Sequence, residues 1–227
     1  MLGEVDCFAM SFKNTFPTVR QWKTDFVVGI DVDDSIFYTQ ESKNCITNLF
    51  DPSAVTIVDI YQPMYGKVCR IWSRLENNAG NDLIVLLGDE IVLMYQGWQE
   101  QVEAWFQGVF CSTSQPNGFA CVALNDASFP GFPTFPVIHR EHLKCFQMVL
   151  PQSFVNQGGD PYLYELYSCW NAADLVTARL KNTLGGDSSA RYVKHDINWP
   201  GQVLTLIIPC SCKITSRKNL RVSALTL

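Results

Sequence analysis

Short apolar runs, rich in β-branched and aromatic residues and closed by turn-forming residues, constrain this chain more than any other feature. "TDFVVGI" (24–30), "SIFYTQ" (35–40), "AVTIVDIY" (54–61) and "KVCRIW" (67–72) are of this kind. Side chains branched at Cβ suit the pleated, half-buried surface of a sheet, so each run reads as a strand. Gln62-Pro63 and "ENNAGND" supply the punctuation between them.

The middle of the chain extends the pattern. In "YQGWQEQVEAWFQGVF" (95–110), Val102, Ala104 and Phe106 alternate with Gln101, Glu103 and Gln107, the period of two of a strand with one buried face. Gly108 then reads as a bulge and Trp105 points outward. After Asn117-Gly118, "FACVAL" is apolar on both faces, as a central strand would be. "SFPGFPTFPV", with Pro130, Pro133 and Pro136, cannot be a helix interior and is expected to cross the surface.

"LKCFQMVL" (143–150), "YLYELYSCW" (162–170), "QVLTLIIPCSC" (202–212) and "NLRVSALTL" (219–227) complete the strand list. The segment 82–98 is ambiguous between strand and helix, because periodicity alone does not separate short apolar runs. One helix is expected over "NAADLVTARLKNTLGG", with Asn171 as its cap, Leu175, Val176 and Leu180 on one face and Gly185 as its stop. The expectation is an all-β protein: an antiparallel jelly-roll β-sandwich of about eight strands with one or two short helices. Residues 1–227 read as a single domain, with 1–23 as an N-terminal arm.

Composition narrows the function. Hydrophobic residues make up 47% of the chain and charged residues 17%, against roughly 25% charged in ordinary soluble domains. Surface covered by neighbouring subunits would account for that. The net charge is −5, which disfavours a general nucleic-acid binder. Contact with RNA would be local, at Lys213, Arg217, Lys218 and Arg221. The apolar runs are far shorter than the roughly 20 residues of a membrane span, so no membrane partner is expected. The first twenty residues carry Glu4, Asp6 and Lys13 in place of a signal peptide's apolar stretch. Nine irregularly spaced cysteines and the lack of an Asn-X-Ser/Thr sequon favour a reducing compartment, with Cys acting as a small buried hydrophobe.

Two groups of residues could carry chemistry. His139, Glu141 and His142 could contribute to a metal site if a turn brought the imidazoles together and another element added a ligand, although the His-X-His pair of cupin enzymes is absent. Asp31, Asp33 and Asp34 could hold calcium through a loop; they lack the glycine and distal Glu of an EF-hand, and a solvated turn explains them more simply. Gly-X-Ser-X-Gly, His-Glu-X-X-His and Gly-rich phosphate loops do not occur. The sequence therefore names no catalytic, cofactor-binding or metal residue.

The order of "MYQGWQEQVEAWFQGVF", "NGFACVALNDASFPGFP", "YLYELYSCW", "GQVLTLIIPCSC" and "NLRVSALTL" resembles the second half of picorna-like virus capsid proteins, over about residues 94–227. Gln96 stands where that family has Arg, Trp98 follows the Gly instead of preceding it, and Leu166 replaces a Pro; these departures set the chain apart from the animal picornavirus branch, and the resemblance is taken as one to the plant picorna-like (secovirid) coat proteins, among them cheravirus-like ones. The resemblance implies a structural coat subunit of an icosahedral positive-strand RNA virus. It would be found in the virion and, during assembly, in the host cytoplasm. Its partners would be copies of itself, related capsid subunits and, weakly, genomic RNA. Two alternatives stand beside it: a carbohydrate- or receptor-binding β-sandwich using Trp98, Trp105 and Trp170, and a metal-dependent jelly-roll enzyme using His139, Glu141 and His142.

Overall fold

The structure, a computed structural model, describes residues 3–15, 23–112, 115–183 and 222–226. It is an α/β protein, which corrects the all-β jelly-roll expectation. The described residues form one eight-stranded sheet and six α-helices.

The first strand, β1 (Thr24–Asp31), lies where the sequence places it. The run "SIFYTQ" does not continue the sheet. Asp34 Oδ1 accepts from the N–H groups of Ile36 and Phe37, both at 2.8 Å, and turns the chain away. Thr39 then caps a helix, α2 (Gln40–Leu49), by accepting from Ser42 N–H. Strand β2 (Val55–Ile60) follows and pairs with β1 in parallel. Tyr38 and Lys43 tie this connection to β2 through Asp59, at 2.8 and 3.2 Å.

"KVCRIW" belongs to a helix, α3 (Val68–Leu75). Val68, Ile71, Trp72 and Leu75 are buried at spacings of three and four, so the apolar stripe has the helical period. Gly29 of β1 admits this helix closely: a Cβ added there would lie 3.2 Å from Ile60 and Ile71. The ambiguous segment divides into β3 (Leu83–Leu86) and β4 (Ile91–Leu93).

The alternating run after Gly97 is a helix, α4 (Trp98–Ser112). Its buried residues include Trp98, Val102, Phe106 and Val109, whereas Ala104 is exposed and Trp105 is half-buried. The apparent period of two was carried by Ala104, whose small side chain is at home on a solvent face of a helix. Gly108 sits in the helix and is not a bulge.

Strand β5 (Cys121–Asp126) is a buried central strand, as expected. The proline-rich segment does not simply cross the surface, because Pro133–His139 forms β6, inside the sheet between β3 and β5. Next to Pro136 the β5–β6 register shifts, and Phe135 has φ of 49°, so the residue between two prolines is the irregular one.

Two more expected strands are helices: α5 (Glu141–Phe146) and α6 (Gly159–Ser168). The expected helix is instead a strand, β7 (Ala173–Asn182). There Val176, Ala178 and Leu180 are buried while Thr177, Arg179 and Lys181 are exposed. Strand β8 (Val222–Thr226) falls within "NLRVSALTL". The run 202–212 and Lys213, Arg217, Lys218 and Arg221 lie outside the described residues.

The sheet order is β2-β1-β8-β3-β6-β5-β7-β4. β2, β1, β8 and β3 are mutually parallel, β6 is antiparallel to both β3 and β5, and β7 runs parallel to β5. The carboxyl ends of β1, β3 and β5 therefore point to one edge of the sheet. Edge strand β4 is covered by the first helix, α1 (Gly3–Thr15), within the segment read as an arm. Ser11 Oγ accepts from Leu93 N–H at 3.0 Å, and Phe8 and Phe12 enter the core.

Of the cysteines, Cys69 and Cys121 are buried free thiols, while Cys7, Cys45, Cys111 and Cys169 are free and exposed. Cys145 is disulfide-bonded. Burial as a small hydrophobe thus describes only some of them. No helix among the described residues is long and apolar enough to cross a membrane.

Candidate functional site

In open α/β sheets ligands bind outside the carboxyl ends of strands, where successive connections depart in opposite directions. Here the chain leaves β1 for β2 at the sheet's edge, then returns through α3 past β1 to β3. A cavity of about 350 Å³ lies at that place, lined by Asp31, Asp34, Phe37, Gly66, Val68 and Asp89 among others.

Each carboxylate reaches the edge for the same reason. "FVVGI", "LIVLL" and "CVAL" are largely buried strand segments; Asp31 and Asp89 follow the first two where the chain becomes partly exposed, and Asp126 follows the third while still buried. Asp31 ends β1, Asp89 follows β3 after Gly88, and Asp126 ends β5. Gly88 lets Glu90 fold back, since a Cβ there would meet Glu90 Oε2 at 2.7 Å.

Among the described residues that line the crevice, the charged side chains are Asp31, Asp34 and Asp89. No Lys, Arg or His is among the described residues that line it. Burial pushes the Asp31 carboxyl up from its ordinary value, and the charges of Asp33 and Asp34 push it further. Asp34 spends one oxygen on its own turn. Burial and the neighbouring Asp33 carboxylate raise the Tyr65 hydroxyl at the rim.

Asp126, at the end of β5, and Asp160, in α6, are two further carboxylates held in buried surroundings. Asp126 is fully buried; its Oδ1 accepts from Ser128 and Asn182 N–H, and its Oδ2 has no hydrogen-bond partner. Asp160, in the first turn of α6, accepts from Phe135 N–H, and burial drives its carboxyl up to about 7. Asp160 as a residue retains some exposure, but its Oδ1 is enclosed and unpartnered, as is the Thr134 hydroxyl beside β5.

The histidine group does not form a ligand set. His139 Nδ1 accepts from Glu141 N–H at 3.1 Å, which leaves its proton on Nε2. His142 lies between Tyr167 Oη (2.8 Å) and the Val149 carbonyl (3.0 Å), while Glu141 pairs with Lys144. Among the described residues no group of three His, Cys, Asp or Glu side chains is placed to hold a metal ion, and this includes Asp31, Asp33 and Asp34. The three tryptophans do not form a shared exposed platform either. Trp98 is buried beside Phe12, Trp105 is half-buried, and Trp170 packs edge-on to Phe119.

Asp89, Asp126 and Asp160 were not singled out from the sequence. For the first two the signal was legible, since an apolar run ends in Asp at 31, at 89 after Gly88, and at 126 after Asn125, whereas Asp160 follows the polar turn "NQGG" and carries no such signal.

Fold and site together define a mixed α/β sheet with an acidic crevice at the carboxyl ends of β1 and β3. No protein-family model, no curated protein and no solved structure matches the chain.

Proposed function

We propose that the chain binds a nucleoside-diphosphate-type ligand through a divalent cation in the crevice at the ends of β1 and β3. The observation that carries this reading is that Asp31 and Asp89 line one cavity that has no cationic side chain among its described residues. Magnesium-like ions are commonly held by one or two carboxylates, with substrate phosphates and water completing the shell. A site of that kind needs no third protein ligand, which agrees with the lack of a three-residue cluster. Phosphates entering this crevice meet carboxylates, so a bridging cation is required to neutralise both.

The chemistry this arrangement suits is group transfer from a donor whose leaving group is a diphosphate, such as a nucleoside-diphosphate sugar. The cation would stabilise charge developing on the leaving group.

Titration calorimetry with uridine and guanosine diphosphates, in manganese and in EDTA, tests the reading. A cation-dependent component of binding is expected, and that component is lost in Asp31→Asn and Asp89→Asn, whereas binding that persists in EDTA does not belong to the crevice. If no nucleoside diphosphate shows cation-dependent binding, the reading fails. A coat-subunit role rests on the sequence resemblance alone, since the fold that was to carry it is not the one observed. Closed particles in negative stain would support it.

A further inference from the structure

The face of α3 turned away from the crevice carries charge of the opposite sign. Lys67, Arg70 and Arg74 line a groove of about 580 Å³ between this helix and residues 147–155, together with Ser73, Gln147 and Gln152. Lys67 and Arg70 are half-buried, and none of the three cations enters an ion pair among the described residues. The one carboxylate in the groove, Glu76, accepts from Val149 N–H at 2.7 Å and is occupied in holding that segment. In a chain of net charge −5, three cations gathered in one concavity, with no ion pair among the described residues, call for an anionic occupant.

The spacing sets its size. Positions 67, 70 and 74 follow one face of the helix over about 10 Å, more than a single phosphate spans. Six donor side chains also exceed what one carboxylate accepts, whereas each phosphate offers three oxygens and suits both the planar guanidinium fork and the compact lysine charge. We propose that this groove binds a small ligand carrying two or more phosphate groups, independently of the crevice. Val68 and Ile71 of the same helix line the crevice, so α3 forms a wall common to both sites.

The test is calorimetric titration of the whole chain with sodium tripolyphosphate in EDTA, which keeps any cation-dependent crevice site silent. Saturable binding is expected, with affinity at least tenfold lower in Arg70→Gln/Arg74→Gln, whose fold is checked by circular dichroism. Lys13→Gln/Lys181→Gln removes the same charge from exposed positions elsewhere and is expected to bind as the unaltered chain does. Absence of binding, or equal loss in both double variants, overturns the proposal. A single-stranded oligonucleotide that outcompetes tripolyphosphate overturns the small-ligand assignment. Crevice binding requires manganese and is expected to survive in Arg70→Gln/Arg74→Gln, whereas groove binding persists in EDTA and is lost in that variant, so failure of one site is distinguishable from failure of the other.

Discussion

The Tyr167 hydroxyl donates to Nδ1 of His142 across 2.8 Å in a core where both residues are almost wholly buried. The direction follows from the other side of the ring, where Nε2–H donates to the Val149 carbonyl at 3.0 Å. Tyr167→Phe removes the one donor to that nitrogen among the described residues. Urea unfolding at pH 7 is expected to show a loss of about 1–3 kcal/mol.

Burial holds the His142 imidazole down to about 4, below its usual value near 6.5. The unfolded chain therefore takes up a proton first, and stability contributed by the neutral ring is lost as pH falls from about 6.5 through 4. The full loss is on the order of 3 kcal/mol. Replacing His142 with Gln should flatten the acid limb of a Tm-against-pH curve.

Asp160 acts in the opposite sense. Its carboxyl is raised to about 7 in the folded protein, so the stability tied to its protonated form is present below about pH 4 and lost as pH rises through 7. Between pH 4 and 6.5 it offsets His142. Asp160→Asn should raise Tm at pH 8 and leave it nearly unchanged at pH 4; the same rise at both values would show that its titration is not responsible.

Asp31 is expected to trade stability for binding. Its crowding by Asp33 and Asp34 is relieved in Asp31→Asn, so the variant should melt higher in EDTA than the unaltered chain. It should gain nothing from manganese with a nucleoside diphosphate. Thermal shift in the two buffers measures both effects.

Two glycines separate steric cost from conformational cost. Gly29→Ala brings a methyl to 3.2 Å from Ile60 and Ile71 without an unusual backbone, and should cost about 1–3 kcal/mol. Gly118→Ala must also hold φ near +83° with its Cβ 2.3 Å from His139 Nδ1, so it should cost more in the same unfolding experiment.

Strands β1, β2, β5 and β8 were legible because their apolar runs are short, β-branched and bounded by turns. The helices were not, and the reason is visible in α6. Tyr162, Tyr164 and Leu166 alternate like a strand, but the buried set is Tyr162, Leu163, Leu166 and Tyr167, a helical stripe diluted by aromatic residues. β7 shows the converse, since Ala, Leu and Arg favour helix locally while Val176, Ala178 and Leu180 are buried at a period of two. Tertiary burial overrode propensity in both. For the site, Asp31, Asp33 and Asp34 stood out but read as a solvated turn. Their meaning depends on β1 lying parallel to β3, which places Asp89 beside the same cavity, and a pairing of strands so far apart leaves no local trace.

Strand β8 sits between β1 and β3, both drawn from the first hundred residues. During synthesis those two strands emerge well before the one that joins them, so until residues 222–226 are made β1 and β3 lack the neighbour that pairs with both. Productive folding then waits on residues 222–226, and a ribosome stalled upstream of them would present two open β edges to chaperones and proteases.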